Sequence, residues 1–148
     1  LASRVLAMVE RYRDGAVPPA QVDAVLEEDF EGAAARFSEL LDRAELSQAL
    51  ELAWALVRRL NRYVEETRPW ELARDEADPE RLDEVLYNLV EGLRVVTLLL
   101  VPYLPRTSET LLTALAEGSR ELTDLGSRPG GQKVERIPPL FPRIEAPA

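Results

Sequence analysis

Apolar residues recur along this chain at steps of three and four, the spacing that turns one face of an α-helix toward a core. Leu1, Val5, Met8 with Val9, and Tyr12 form the first such stripe; Asp14-Gly15 and then Val17-Pro18-Pro19 end it. A second helix is expected over Gln21 to Arg43 through Val22, Val25, Leu26, Ala33, Phe37, Leu40 and Leu41, with Gly32 and the acidic residues around Glu28 and Asp29 disturbing its middle. Ser47 is a capping residue for a third. Leu46, Leu50, Ala53, Trp54, Val57, Leu60 and Val64 carry that helix to about Glu66, and Trp54, inside the stripe, is expected in the core. Thr67-Arg68-Pro69-Trp70 breaks it, because the residue before a proline is driven out of helical geometry; a short turn over Glu71 to Arg74 follows. Asp78-Pro79 pairs a capping side chain with proline at the first helical position. The fourth helix runs from there to about Val101, and from Leu93 onward it is apolar nearly all round, which predicts burial on most sides. Pro102 ends it, Pro105 opens a fifth helix to about Glu117, and Gly118 closes that one.

Beyond Gly118 the periodicity fades. Gly126, Pro129, Gly130, Gly131, Pro138, Pro139, Pro142 and Pro147 crowd a segment that reads as extended or wrapping. Short connections between helices imply an all-α antiparallel bundle of about five helices. The expected division is a helical domain over residues 1–117 and an extended Pro/Gly-rich C-terminal tail over 118–148.

Composition narrows the chemistry. A chain of 148 residues with 46% hydrophobic and 30% charged residues suits one globular domain. It has no cysteine and no histidine, which removes thiolate sites, disulfides, the commonest general base and the commonest metal ligand. Carboxylates are plentiful but fall on polar helix faces, and Gly130-Gly131 fits no phosphate-cradling loop. No catalytic, cofactor or metal site is therefore expected within these residues. The longest apolar run, Leu93 to Leu104, is interrupted by Arg94, Thr97 and Pro102 and falls short of the roughly 20 residues of a membrane span. No basic segment precedes an apolar one, so no signal peptide is expected and the location implied is cytoplasmic. The chain opens at Leu1 in amphipathic sequence, which suggests a piece of a longer polypeptide. The net charge of −9 argues against broad, non-specific nucleic-acid binding but leaves room for a small site that reads a few bases. Lys133 is the only lysine among 18 basic residues.

One segment carries a resemblance. Residues 61–70, Asn-Arg-Tyr-Val-Glu-Glu-Thr-Arg-Pro-Trp, are similar to the Asn-x-Tyr-(x)5-Pro-Trp segment of methionyl-tRNA synthetases. Leu1-Ala2-Ser3-Arg4 resembles the end of that family's Asn-Leu-x-x-Arg motif. Glu91-Gly92-Leu93-Arg94 with Val101-Pro102-Tyr103-Leu104-Pro105 resembles its helix that ends in a proline pair, and Leu140-Phe141-Pro142-Arg143-Ile144-Glu145 resembles the close of its synthetase core. The matches follow the family's order from end to end. The resemblance implies a helical domain that recognises the CAU anticodon of tRNA, with Trp70 as stacking platform for the cytosine and Arg4 as polar contact; Asn61, Tyr63 and Pro69 would shape the same corner. The Asn of the first motif has no counterpart here. The whole enzyme would be the ligase that joins methionine to tRNA with ATP, with Mg and Zn as further candidates. Its His-Ile-Gly-His and Lys-Met-Ser-Lys-Ser signatures are absent, so this piece would select tRNA while a catalytic domain of the same polypeptide does the chemistry.

The residue chemistry is compatible with that role. RNA sequence is read mainly in loops, where unstacked bases lie on aromatic rings or guanidinium planes. Pro69 would stiffen the backbone before Trp70, and Arg4 offers a planar fork of donors. Each residue also has a plainer reading: Trp70 as a core anchor at a helix break, Arg4 as a solvated charge, Asn61 and Tyr63 as caps or packing residues. Arg62, Arg68 and Arg74 could meet an RNA backbone or simply water, and the acidic run from Asp75 to Asp83 suits a solvated loop and helix start. Two other functions share the pattern: a related helical domain of a cysteine, leucine, isoleucine or valine synthetase, and a helical protein-interaction module.

Overall fold

The computed structural model describes residues 1–74 and 78–147. Among these described residues seven helices follow one another: α1 (Ala2–Arg13), α2 (Ala24–Phe30), α3 (Ala33–Asp42), α4 (Leu46–Thr67), α5 (Pro69–Arg74), α6 (Pro79–Leu100) and α7 (Pro105–Ala114). Among the described residues there is no strand, only an isolated bridge between Ala16 and Lys133.

The five expected helices are present, with corrections. The single helix expected over 21–43 is two. It starts at Ala24, where Asp23 accepts from the Val25 N–H, and is cut at Glu31-Gly32, with Gly32 left-handed at φ 69°. Glycine inside a helix costs about 1 kcal/mol against alanine, and Glu27, Glu28, Asp29 and Glu31 crowd like charge just before the break. Ser47 does not cap α4: the helix starts at Leu46, with Glu45 at the cap position and no side-chain cap. The expected turn at 71–74 is helix α5, which starts at Pro69. Asp78 does cap α6, accepting from the Arg81 N–H at 3.0 Å.

Helix α6 is the axis of the core. Every residue from Val85 to Leu99 is buried, so all-round burial begins two turns before the apolar run that announces it. Tyr103, just past the end of α6, donates to the Leu46 carbonyl at the start of α4, while Gly92 lies against Leu60 in the middle; α4 and α6 therefore run antiparallel. At α1 the order is the same, since Arg13 at its end bonds Asp83 near the start of α6. A Cβ on Gly92 would stand 2.4 Å from Leu60 Cδ2, so glycine is what lets these two helices close.

The segment after Gly118 is clamped to the bundle. Val17 and Gly131 exchange backbone bonds with Gln132 and Val17 at 2.9 and 2.7 Å, Val134 donates to the Gly15 carbonyl, and the Val134 side chain joins the core. Arg94, 1% exposed on α6, pairs with Glu91 and donates to Thr123 Oγ1 (2.5 Å), the Asp124 carbonyl (3.1 Å) and Ser127 Oγ (2.6 Å); the Arg128 N–H bonds Glu91 Oε1 at 2.8 Å. Trp54 departs from expectation. It is 37% exposed and lines an apolar groove with Leu1, Leu100 and Phe141.

Candidate nucleic-acid interface

Helix α4 ends where proline forbids its continuation. Arg68 turns into left-handed backbone at φ 46°, ψ 64°, and its N–H still reaches the Val64 carbonyl at 3.0 Å. Pro69 is buried and begins α5, so Trp70 follows directly from a fixed corner. The indole is half-buried: one side packs on the core while the rest stays accessible. Over it lies Arg4 of α1, with its Cζ 5.9 Å from the ring centroid. Arg4 is exposed and donates to Glu65 Oε1 at 3.1 Å. The first residues of the chain and the end of α4, sixty positions apart, thus meet in one aromatic–guanidinium–carboxylate unit.

The other three residues singled out from the sequence take different places. Pro69 forms the corner itself. Asn61 spends its amide on the Val57 carbonyl one turn back in its own helix, at 3.2 Å. Tyr63 is 1% exposed and offers no surface to a ligand; its hydroxyl donates to Asp23 Oδ2 at 2.9 Å. Tyr63, expected to shape the corner, therefore lies beneath it and shows no surface there. Arg81 donates to the same carboxylate oxygen at 3.0 Å, and Asn88 accepts from the Asp23 N–H at 2.9 Å. Burial pushes the Asp23 carboxyl up, but bonds from the Val25 N–H, Tyr63 and Arg81 outweigh it and hold the group below its ordinary range. Burial, then the Asp23 carboxylate, push the Tyr63 phenol well above its usual value. This cluster ties the loop before α2 to α4 and α6, and so fixes the helix end from which Trp70 departs.

Glu65 is the residue that sequence reasoning missed. It sits inside the quoted segment, but no spacing rule places position 65 opposite position 4. Of the arginines weighed as backbone contacts, Arg62 and Arg74 are exposed, and Arg68 pairs with Glu71 at 3.3 Å. The acidic run divides: Asp78 caps α6, Asp83 binds Arg13 at 2.5 Å, and Asp75, Glu76 and Ala77 lie outside the described residues.

The molecule is thus a helical bundle that holds a half-exposed indole under a guanidinium, in a chain of net charge −9. The chain belongs to the family described as the anticodon binding domain of methionyl tRNA ligase, whose profile matches residues 14–145. It is 38% identical over 98% of its length to a methionine–tRNA ligase of Clostridium acetobutylicum, and 35% identical over 99% of its length to that of Bacillus subtilis. It spans 24% of each of those relatives. The fold matches the apo form of Mycobacterium tuberculosis methionyl-tRNA synthetase with a TM-score of 0.88 at 28% identity, covering 99% of this chain and 31% of that one. A structure of the M. tuberculosis enzyme in complex with methionyl-adenylate matches at 0.84, with 27% identity, covering 96% of this chain and 30% of that one.

Proposed function

We propose that this chain reads the CAU anticodon of tRNA by stacking the cytosine on Trp70, beside Arg4. The observation that carries the reading is the Arg4 guanidinium 5.9 Å above the indole. Two stacked contacts need about 7 Å, at roughly 3.5 Å each, so a cytosine enters once Arg4 yields by about 1 Å or swings aside on its exposed stem. In the sandwich the indole supplies a base-tolerant stacking term of about 1–3 kcal/mol, and the guanidinium supplies donors for the cytosine carbonyl or a neighbouring phosphate. Glu65 keeps Arg4 over the ring until the base arrives. Pro69 and the Asp23–Tyr63–Arg81 cluster act behind the site, holding the corner still, and Asn61 stiffens the last turns of α4.

In a whole enzyme the domain would choose the tRNA and leave the ATP-dependent attachment of methionine, with any Mg or Zn it needs, to a catalytic domain of the same polypeptide. The setting would be the cytoplasm; among the described residues, no helix is long and apolar enough to cross a membrane.

The test uses tryptophan fluorescence. Because Trp54 is partly exposed and emits as well, Trp54→Phe is the background in which Trp70 alone reports. Titration with a CAU anticodon stem-loop should quench that emission, and Trp70→Ala in an otherwise unchanged chain should lose the response. An equal response to a loop in which uracil replaces the cytosine refutes the readout.

A further inference from the structure

The described residues contain two guanidinium–aromatic pairs, and in both the arginine belongs to α1: Arg4 over Trp70 of α5, and Arg11 over Tyr12 with Cζ 6.0 Å from the ring centroid. Arg4 and Arg11 are seven residues apart, which is two helical turns on one face and roughly 10 Å along the axis. The second pair opens into a cavity of about 520 Å³ whose walls include Arg11, Tyr12, Arg13, Leu72, Ala73 and Pro79. Leu72 and Ala73 belong to α5, the helix that carries Trp70, and Ala73 follows Trp70 by one turn. The seam between α1 and α5 therefore bears two aromatic platforms in succession, the second in a recess of the size that takes small ligands.

Two arginines, Arg11 and Arg13, line the recess. Two carboxylates close in sequence to its walls are occupied, Asp83 by Arg13 at 2.5 Å and Glu10 by Arg136 at 3.4 Å. Arg13 is thereby committed to structure, and it also donates to the Tyr12 carbonyl at 2.6 Å. Arg11 is exposed, with no carboxylate partner among the described residues, so its fork is available to a base edge or a phosphate.

We propose that the Tyr12–Arg11 recess takes a second nucleobase of the same loop whose cytosine lies on Trp70. This rests on the anticodon reading above. Stacked nucleotides rise 3.4 Å each, so the roughly 10 Å between Arg4 and Arg11 along α1 corresponds to about three nucleotides along one strand. Tyr12 adds stacking without base identity, while Trp70 and Arg4 carry the preference for cytosine.

The experiment measures binding of this chain to CAU and UAU stem-loops by fluorescence anisotropy, with thermal melts of each variant as a check on folding. Tyr12→Leu keeps apolar bulk but removes the ring; Tyr12→Phe keeps the ring. A stacked base worth 1–3 kcal/mol corresponds to about 5- to 150-fold in affinity. Tyr12→Leu should weaken both stem-loops by that factor and leave the ratio between them unchanged. Tyr12→Phe should bind within about twofold of the original, and Arg11→Gln should weaken both loops in parallel. If Tyr12→Leu, folded, binds both loops like the original chain while Trp70→Ala still abolishes discrimination, the second platform is refuted and the first stands. If Trp70→Ala changes neither affinity nor discrimination, the anticodon reading fails and this inference falls with it.

Discussion

Tyr63 lies within the segment most characteristic of the family, yet its ring is sealed in the core, and replacing it with phenylalanine separates support from contact. The substitution removes one atom, the hydroxyl that donates to Asp23 at 2.9 Å, and leaves the packing intact. A hydrogen bond to a charged acceptor contributes about 1.5–3 kcal/mol. Asp23 retains donors in the Val25 N–H at 3.1 Å and Arg81 at 3.0 Å, which places the loss in the lower half of that range, about 1.5–2 kcal/mol. For a domain of this size each 1 kcal/mol moves the midpoint by about 2–4 °C, so Tyr63→Phe should melt about 3–8 °C lower. The deficit should appear again as a lower urea midpoint with an unchanged slope. At a temperature where both proteins are folded, binding to a CAU stem-loop should stay within twofold. A variant that melts like the original but no longer binds the stem-loop refutes the supporting role and returns Tyr63 to the interface.

Asp23 gives a pH-dependent companion. Its folded pKa lies below the unfolded value of 3.8, so its stabilisation is complete above that value and is lost as pH falls through the folded one. Asp23→Asn should therefore cost most at neutral pH, with the gap in melting temperature to the original chain closing only in strong acid; a constant gap from pH 7 to pH 2 counts against the pairing. Arg94→Met leaves Glu91 buried with the Arg128 N–H at 2.8 Å and, as its remaining cation, the Arg128 guanidinium 3.9 Å away. Breaking such a pair costs about 3–5 kcal/mol, and trypsin should cut faster after Arg120 as the tail loosens; unchanged cleavage would show the clamp idle. Gly92→Ala places a methyl 2.4 Å from Leu60 Cδ2. Overpacking of about 1–3 kcal/mol exceeds the helix-propensity gain of about 1 kcal/mol, so urea melts should show net loss, partly recovered by adding Leu60→Val.

The number and order of the long helices were legible in the chain because amphipathic periodicity and proline are local signals. Asp78-Pro79 starts α6 and Pro69 ends α4 by rules that act within a few residues. Where a boundary depended on weaker local terms, the reading slipped: Gly32 and its acidic neighbours cut one expected helix in two, and Ser47 was outcompeted as a cap. Trp54 shows the limit of the apolar stripe, which marks a face but not whether a partner covers all of it. The motif residues divided for a similar reason. Trp70 and Pro69 were marked by their own chemistry, whereas the burial of Tyr63 depends on Asp23 and Arg81, forty and eighteen positions away.

The sequence by itself determined an all-helical domain without histidine or cysteine, and marked a proline-stiffened tryptophan as the place to look. Only the tertiary structure decided that Arg4 lies over that ring with Glu65 holding it, that Arg11 and Tyr12 repeat the arrangement two turns on, and that a proline-rich tail is clamped by buried charge. Periodicity and breakers act between neighbours in the chain, but a guanidinium over an indole is a contact across sixty-six residues, and it exists only once α1, α4 and α5 have packed around α6.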